Sequence, residues 1–401
     1  MLALVPVDSG GRAVRSGGPD SWACWWCYYG TQAAAYAVVA AAGIAITAAT
    51  GGTAPAIIGA LATALSVEVT TVVALAATVG GVTISSFISL LAQKVCEAIL
   101  NTCSEKKVSI SGPWKSSQIH SWGAQAPGQP ALVNFRGQPV ILHRAGSGDN
   151  FYYAAYDLGS GDWPGSDTKV TGSSLVAGGG LGAVVLNGTL YAIYRRSSSS
   201  TLGLRSTTDL TTWAPEVALS ITASADAALA EFGTQIVGVA PSQNSILQSF
   251  VLQSSGSLAG DPSPLSGVFC NTQPALEWFN GLLLCAYVDR PTGALRFLAM
   301  DADGSSTSWT PTTSPQTSGT LKGGPALYAL NATTLYCLYT LSDGSIHYSF
   351  TGPDLNWATE TAISGQAAST GPALVGQGST LFAIHLGKGG ENIWFDVAQV
   401  D

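Results

Sequence analysis

Arg144, Arg195, Arg290 and Lys388 follow one another at intervals of 51, 95 and 98 residues, each where an apolar, aromatic-rich run gives way to Ser, Gly and Asp. Arg196 adds a second guanidinium, and Asp149, Asp289 and Glu391 place carboxylates close by. A planar guanidinium beside a carboxylate and an aromatic face suits recognition of sugar hydroxyls or of acidic sugars. With nothing docked on them, the same residues are solvated turn charges.

Enzymatic chemistry is less well supplied. Hydrolysis needs two carboxylates at working distance, or a nucleophile with its base. Asp226, Glu231 and Glu277 lie near apolar strands, but no spacing singles them out. The histidines are His120, His143, His347 and His385, and His143 and His385 fall at equivalent points of a repeat. No Gly-rich phosphate loop, paired-His metal motif or Ser elbow is present. No cofactor or metal is expected, and an enzyme is the less favoured reading.

The elements that position these residues come from a repeat. Six units begin at Pro130-Ala131-Leu132, Gly182-Ala183-Val184, Ala227-Ala228-Leu229, Pro274-Ala275-Leu276, Pro325-Ala326-Leu327 and Pro372-Ala373-Leu374. Their alanines are 52, 45, 47, 51 and 47 residues apart. A period near fifty residues built of short strands is the signature of a β-propeller, one four-stranded sheet per period. In the fifth unit the strands read Gly324 to Leu330, Thr334 to Tyr339, Ser345 to Phe350 and Glu360 to Ile363. Asn331 and Ser342-Asp343-Gly344 supply turns that tolerate positive φ. The loops between second and third strands carry the polar residues named at the outset.

The sixth unit ends after its third strand, Asn392 to Val397. The missing strand is assigned to the segment around Trp114 to Trp122, so the chain's two propeller ends pair and cover their edges. The predicted fold is mainly β: a six-bladed propeller over residues 108–401, closed by residues 108–126 on the C-terminal blade. Trp114, Trp163, Trp213, Trp309 and Trp357 each stand 15 to 20 residues ahead of a unit's alanine, and the fourth unit has none. A Trp recurring at one place in most blades wedges neighbouring blades together; stacking on sugars is the alternative use.

Residues 1–107 are different. Between Ser21 and Gln93 the only charged residue is Glu68, and the stretch is rich in Ala, Gly, Val, Thr and Ile. It reads as a small hydrophobic α-helical domain, with helices near 31–50, 54–66 and 67–101 broken at Gly51-Gly52 and Pro55. A membrane hairpin, conditional insertion and a soluble bundle all stay open. Cys24 and Cys27 precede the apolar stretch, and Cys96 and Cys103 follow it. Antiparallel ends would pair Cys24 with Cys103 and Cys27 with Cys96, with other connectivities and a four-thiolate zinc site as alternatives. Cys270, Cys285 and Cys337 fall in or beside strands and read as buried thiols.

Only 10% of the 401 residues are charged, against about 25% in ordinary soluble proteins. The net charge of −8 comes from the propeller, with 11 basic and 19 acidic residues, while residues 1–107 hold five of each. Nucleic acid is excluded, because phosphate binding needs a basic face. Disulfides and a Gly/Ser/Thr surface point to an extracellular or cell-surface protein. Met1 to Pro6 is too short for a standard signal peptide, and Arg12 and Arg15 follow it. Asn187-Gly188-Thr189 and Asn331-Ala332-Thr333 are glycosylation sequons set in tight turns.

The repeat over residues 108–401, with Asp/Gly turns and a trailing Trp, resembles the six-bladed fucose-binding lectins of fungi and bacteria. It also looks like the Asp-box sialidases, through Ser206-Thr-Thr-Asp209-Leu-Thr-Thr-Trp213 and Asp301-Ala-Asp303-Gly304 leading to Trp309. The lectin resemblance implies an Arg, a Glu and a Trp around each sugar. Arg205 and Arg296 sit in third strands, without the Glu expected about two positions later. The sialidase resemblance implies a three-arginine clamp, and the seven propeller arginines show no such signature. The expectation is a multivalent, lectin-like carbohydrate-binding protein whose hydrophobic domain associates with or inserts into membranes, as in a toxin. Its partners would be glycans, membrane lipid and, through the helices, further copies of itself. A sialidase-like hydrolase and a structural assembly protein are the alternatives.

Overall fold

The computed structural model describes residues 110, 113–119, 128–144, 148–176, 179–197, 199–301, 308–389 and 392–400. The helical domain expected over 1–107, with Cys24, Cys27, Cys96 and Cys103, lies outside them, as do His120, Trp122 and Glu391. Among the described residues, 24 strands form six four-stranded antiparallel sheets. Each sheet runs in sequence order except the last, whose fourth strand is Lys115–Gln118. That strand pairs with Ile393–Gln399, setting Ser116 opposite Asp396 and Gln118 opposite Trp394. The first strand of each blade lies against the first strand of the next, and Ala373–Gln377 of blade six returns to Ala131–Phe135 of blade one. The mainly β, six-bladed propeller expected from the repeat is the fold found.

Period-two alternation puts odd positions of each first strand toward the next blade and even positions toward the previous one. Six apolar clusters result, one in each seam between blades. Sizes are matched across the seams. Tyr328 of blade five lies on Gly376 of blade six, where a Cβ would come within 2.3 Å of the Tyr328 ring. Seam burial is the main source of stability, at about 1.5–3 kcal/mol for each fully buried large apolar side chain.

The tryptophans end the sheet that precedes each unit, so the blade without one is blade three. Trp163 is 7% exposed and meets Phe395 edge-on at 5.5 Å in the seam of blades six and one. Trp213 meets Phe151 at 5.2 Å between blades one and two, and Trp357 meets Phe297 at 4.8 Å between blades four and five. Trp309 packs between blades three and four, and Trp114 reaches Tyr348 at 6.1 Å between blades five and six.

The crossovers between blades share one face of the ring with the second-to-third-strand loops. Leu175, Ala223, Cys270, Leu321 and Ala368 each donate a backbone N–H to the loop carbonyl of Asp149, Ser200, Ser245, Gly293 or Gly344. At the axis on this face, the Gln129 amide donates to the carbonyls of Pro372 (2.9 Å) and Pro325 (3.4 Å). The Gln273 amide donates to those of Leu181 (2.8 Å) and Ala227 (3.3 Å). The crossovers pack so closely that a Cβ on Gly324 would lie 2.0 Å from the Gln273 carbonyl oxygen. The crossovers and the Gln129 and Gln273 side chains therefore crowd this end of the axis. Cys270, Cys285 and Cys337 are free and buried.

Candidate functional site

The second strands are Gln138–Arg144, Thr189–Arg195, Gln235–Pro241, Leu282–Val288, Thr334–Thr340 and Thr380–Leu386. Their sixth residues are His143, Tyr194, Ala240, Tyr287, Tyr339 and His385. Even positions on these strands face the previous blade, as Ile141, Tyr194 and Tyr339 do. Following the ladders outward across each sheet brings a second recurring position onto the same face. Its occupants are Asp167, Glu216, Pro262, Pro311, Glu360 and Ser116. Three of the six are carboxylates.

In the seam of blades one and two, Glu216 Oε2 accepts the Tyr194 hydroxyl at 2.5 Å and Glu216 Oε1 accepts Arg196 Nε at 2.7 Å. Gly203 lies opposite Tyr194 on the third strand. A Cβ there would fall 3.0 Å from both the Tyr194 ring and Arg196 Cγ, so the missing side chain is what lets Arg196 fold onto Glu216. Burial and the Glu216 hydrogen bond push the Tyr194 hydroxyl well above the ordinary phenol range, so it remains a donor. The neighbouring Arg205 is 7% exposed and donates to the carbonyls of Thr171, Ala214 (2.9 Å) and Trp213 (3.4 Å). It fastens blade two to the crossover from blade one.

The seam of blades four and five repeats the plan. Glu360 Oε2 accepts the Tyr339 hydroxyl at 2.9 Å, with His347 Nδ1 at 3.6 Å, and Glu360 Oε1 accepts the Ser318 backbone N–H at 2.8 Å. His347 stacks on Tyr339, and its Nε2 lies 3.0 Å from Ser345 Oγ. Between blades six and one, His143 Nε2 is 3.0 Å from Asp167 Oδ2. Between blades five and six, Ser116 takes the carboxylate's place and donates to Asp396 on the adjoining strand, whose Oδ2 is 2.9 Å from His385 Nδ1.

The residues expected at the loops are drawn into different work. Arg144 is 7% exposed and donates to the Gly148 carbonyl at 2.6 Å, while Asp149 is exposed. Arg195 is paired with Asp226 at 3.1 Å, and Asp226 also accepts the Gly180 N–H at 2.7 Å. Burial pushes Asp226 up, opposed by Arg195. Arg196 joins Glu216 in the seam. Asp289 accepts the Thr292 hydroxyl at 2.5 Å, Arg290 is exposed, and Lys388 donates to the Asp343 carbonyl at 2.5 Å, bridging blades six and five. Glu391 lies outside the described residues. Among the described residues of this set, Arg196 joins a seam cluster built on a carboxylate at the recurring position.

Sequence reasoning missed Asp167, Glu216 and Glu360. The lectin-like Glu was sought two residues after Arg205, but the carboxylate facing that strand comes from the start of the fourth, at Glu216. The signal available was the repeated His/Tyr at the second strand's sixth position; loops of unequal length hid its partner. Asp226, Glu231 and Glu277 are not assembled into a catalytic pair. Glu277, in the seam of the first strands of blades four and five, is pushed up to about 8 by burial. Burial also raises Glu231. Among the described residues, no group of three His, Cys, Asp or Glu could hold a metal ion, and no helix is long and apolar enough to cross a membrane.

No protein-family model and no curated protein matches the chain. Solved structures do. AofleA from Arthrobotrys oligospora is 11% identical, with 72% of this chain and 87% of that chain covered and a TM-score of 0.54. The fucose-specific lectin from Aleuria aurantia is 12% identical, with 68% and 95% covered and a TM-score of 0.53. A sialidase of Trypanosoma rangeli is 12% identical, with 67% and 54% covered and a TM-score of 0.47. At such identities the likeness is one of fold: the described residues form a six-bladed propeller similar to those of the fucose-binding lectins that the repeat resembles.

Proposed function

We propose that the protein is a multivalent carbohydrate-binding, lectin-like protein that takes glycans in the seams between its blades. The observation that carries this reading is the Tyr194–Glu216–Arg196 cluster. It offers a fixed acceptor and a fixed donor at the rim of a seam, the pairing that sugar hydroxyls require. The similarity of fold to a fucose-specific lectin supports it. Repeated shallow sites on one ring gain avidity from multivalent surfaces. A glycan array probed with the wild-type chain and with Arg196→Ala tests the reading. Retention of glycans by the wild type and weakened retention by the variant are expected; a wild type that retains none refutes it. Turnover of a fluorogenic sialoside would favour a hydrolase instead.

The apolar residues 1–107 add a second activity to the proposal: membrane association or insertion once the propeller has engaged a cell surface, as in a toxin. Cys24–Cys103 and Cys27–Cys96 bridges would hold that region in an extracellular setting. Liposome flotation with and without reductant tests it, and failure to float in either state removes it. Particles of many copies in size-exclusion chromatography would instead favour assembly through this region.

A further inference from the structure

We infer that the end of the central channel away from the crossovers holds a site for an organic ammonium ion, seated on the Trp278 indole between Glu231 and Glu277. The site is separate from the seam clusters and does not depend on the carbohydrate-binding reading.

The first strand of each blade starts at the crossovers and ends in a tight turn on the opposite face. Its fourth residue therefore stands toward the far end of the axis, and the six occupants are Asn134, Val185, Glu231, Trp278, Ala329 and Gly376. Blades three and four break an otherwise small or uncharged ring. Glu231 is exposed, and Trp278 keeps 39% of its surface, one of four large apolar side chains left so open among the described residues. Phe232, the residue after Glu231, meets the Trp278 ring edge-on at 5.9 Å and holds it in place. Glu277, the residue before Trp278, turns to the other side of its strand, toward blade five. There it accepts the backbone N–H groups of Trp278 and Ala329.

An indole with a carboxylate on either side along the ring selects a cation that is also apolar. The aromatic face attracts positive charge, and the carboxylates accept its N–H groups. Neither carboxylate is offset by protein. The six first strands carry no Lys, Arg or His, and among the described residues no cation pairs with Glu231 or Glu277. Arg136, in the turn after the first strand of blade one, stands across the ring and lies over the Phe135 ring. A desolvated carboxylate without a counter-charge is costly, and burial pushes Glu277 up to about 8. Burial raises Glu231 as well. A bound ammonium removes that cost. An anion would be repelled, and a metal ion would find too few ligands, since no three His, Cys, Asp or Glu converge among the described residues.

The groups facing Glu277 leave its proton to respond to the ligand. The Tyr328 hydroxyl is held by the Gly376 carbonyl at 2.9 Å and raised to about 12 by burial and by Glu277. Cys337 and Tyr339 of blade five face the same seam, and burial holds both above their ordinary ranges. Further out on that seam, His347 and Glu360 face each other at 3.6 Å.

The test is titration calorimetry on the full chain with n-butylammonium, using n-butanol and butyrate as neutral and anionic counterparts. One equivalent of butylammonium and none of the other two is expected. Trp278→Ala and Glu277→Gln should each lower the affinity about 10-fold or more, with thermal melts confirming that both variants are folded. Because Glu277 must ionise to meet the cation, binding at pH 7 should release a proton. The affinity should then rise about 10-fold per pH unit below pH 8 and level off above it, and Glu277→Gln should flatten that slope. No butylammonium binding, equal binding of butanol, or both variants binding as the wild type does overturns the inference. Glycan retention is read separately, so its failure and the failure of this site are distinguishable.

Discussion

The seam carboxylates and the turn carboxylates of this ring are the same chemical group in opposite circumstances. Asp157, Asp209 and Asp354 sit in third-to-fourth-strand turns, on the face away from the crossovers. Asp209 accepts the backbone N–H groups of Thr211 (2.9 Å) and Thr212 (2.7 Å), and Asp157 that of Gly159 (2.8 Å). Backbone hydrogen bonds hold the Asp209 and Asp157 carboxyls below the ordinary carboxylate range. Each such turn is complete within a few residues of sequence. Asp167, Glu216 and Glu360 are steered mainly by side chains from another strand and face another blade. The sequence motif that most resembles a functional signature is therefore a self-contained turn, and the carboxylates gathered in the seams carry no local motif.

The comparison breaks first if the seams do not hold the ring. Trp163→Ala should lower stability by about 3–5 kcal/mol in denaturant unfolding, because it empties the seam of blades six and one; a loss no greater than that of a surface substitution would mean that the seam packing contributes little. Glu216→Gln should weaken glycan retention by about 10- to 100-fold at its own seam, since a hydrogen bond to a charged group contributes about 1.5–3 kcal/mol. Asp209→Asn, by contrast, should lower the melting temperature and leave retention unchanged; reduced retention at unchanged stability would bring the turn into the site.

The pH behaviour sharpens the same contrast. Glu277 has a folded-state pKa raised to about 8, above its unfolded value, so its burial costs nothing in acid. The cost grows as pH rises from the ordinary Glu range toward 8 and then levels off. Glu277→Gln should therefore raise the melting temperature at pH 8 and leave it unchanged at pH 4. Asp209 is the reverse case: its depressed pKa gives stability that is present above the ordinary carboxylate range and lost in acid, so Asp209→Asn should matter at pH 7 and not at pH 2. The smallest effect is expected from Arg290→Ala, an exposed loop residue, in glycan retention; a clear loss there would restore the loops as binding elements.

The propeller was legible because its signals are local and repeated. Alternating apolar residues, Gly- and Asn-containing turns and the small-residue starts recur at a period near fifty residues, and the strand at Ile393–Gln399 finds its outer partner at Lys115–Gln118. The recurring Trp was equally plain. Its blade was not, because the Trp closes the sheet before the unit it precedes.

The sequence alone determined that six sheets form, that they close on themselves, and that charge is scarce. Which polar groups meet was decided by the tertiary structure. His143 and Asp167 stand 24 residues apart, Tyr194 and Glu216 22, and Tyr339 and Glu360 21, at separations set by irregular loops. Strand register carries each pair onto one face of its sheet, and ring closure alone decides which blade that face looks toward and whether water reaches it.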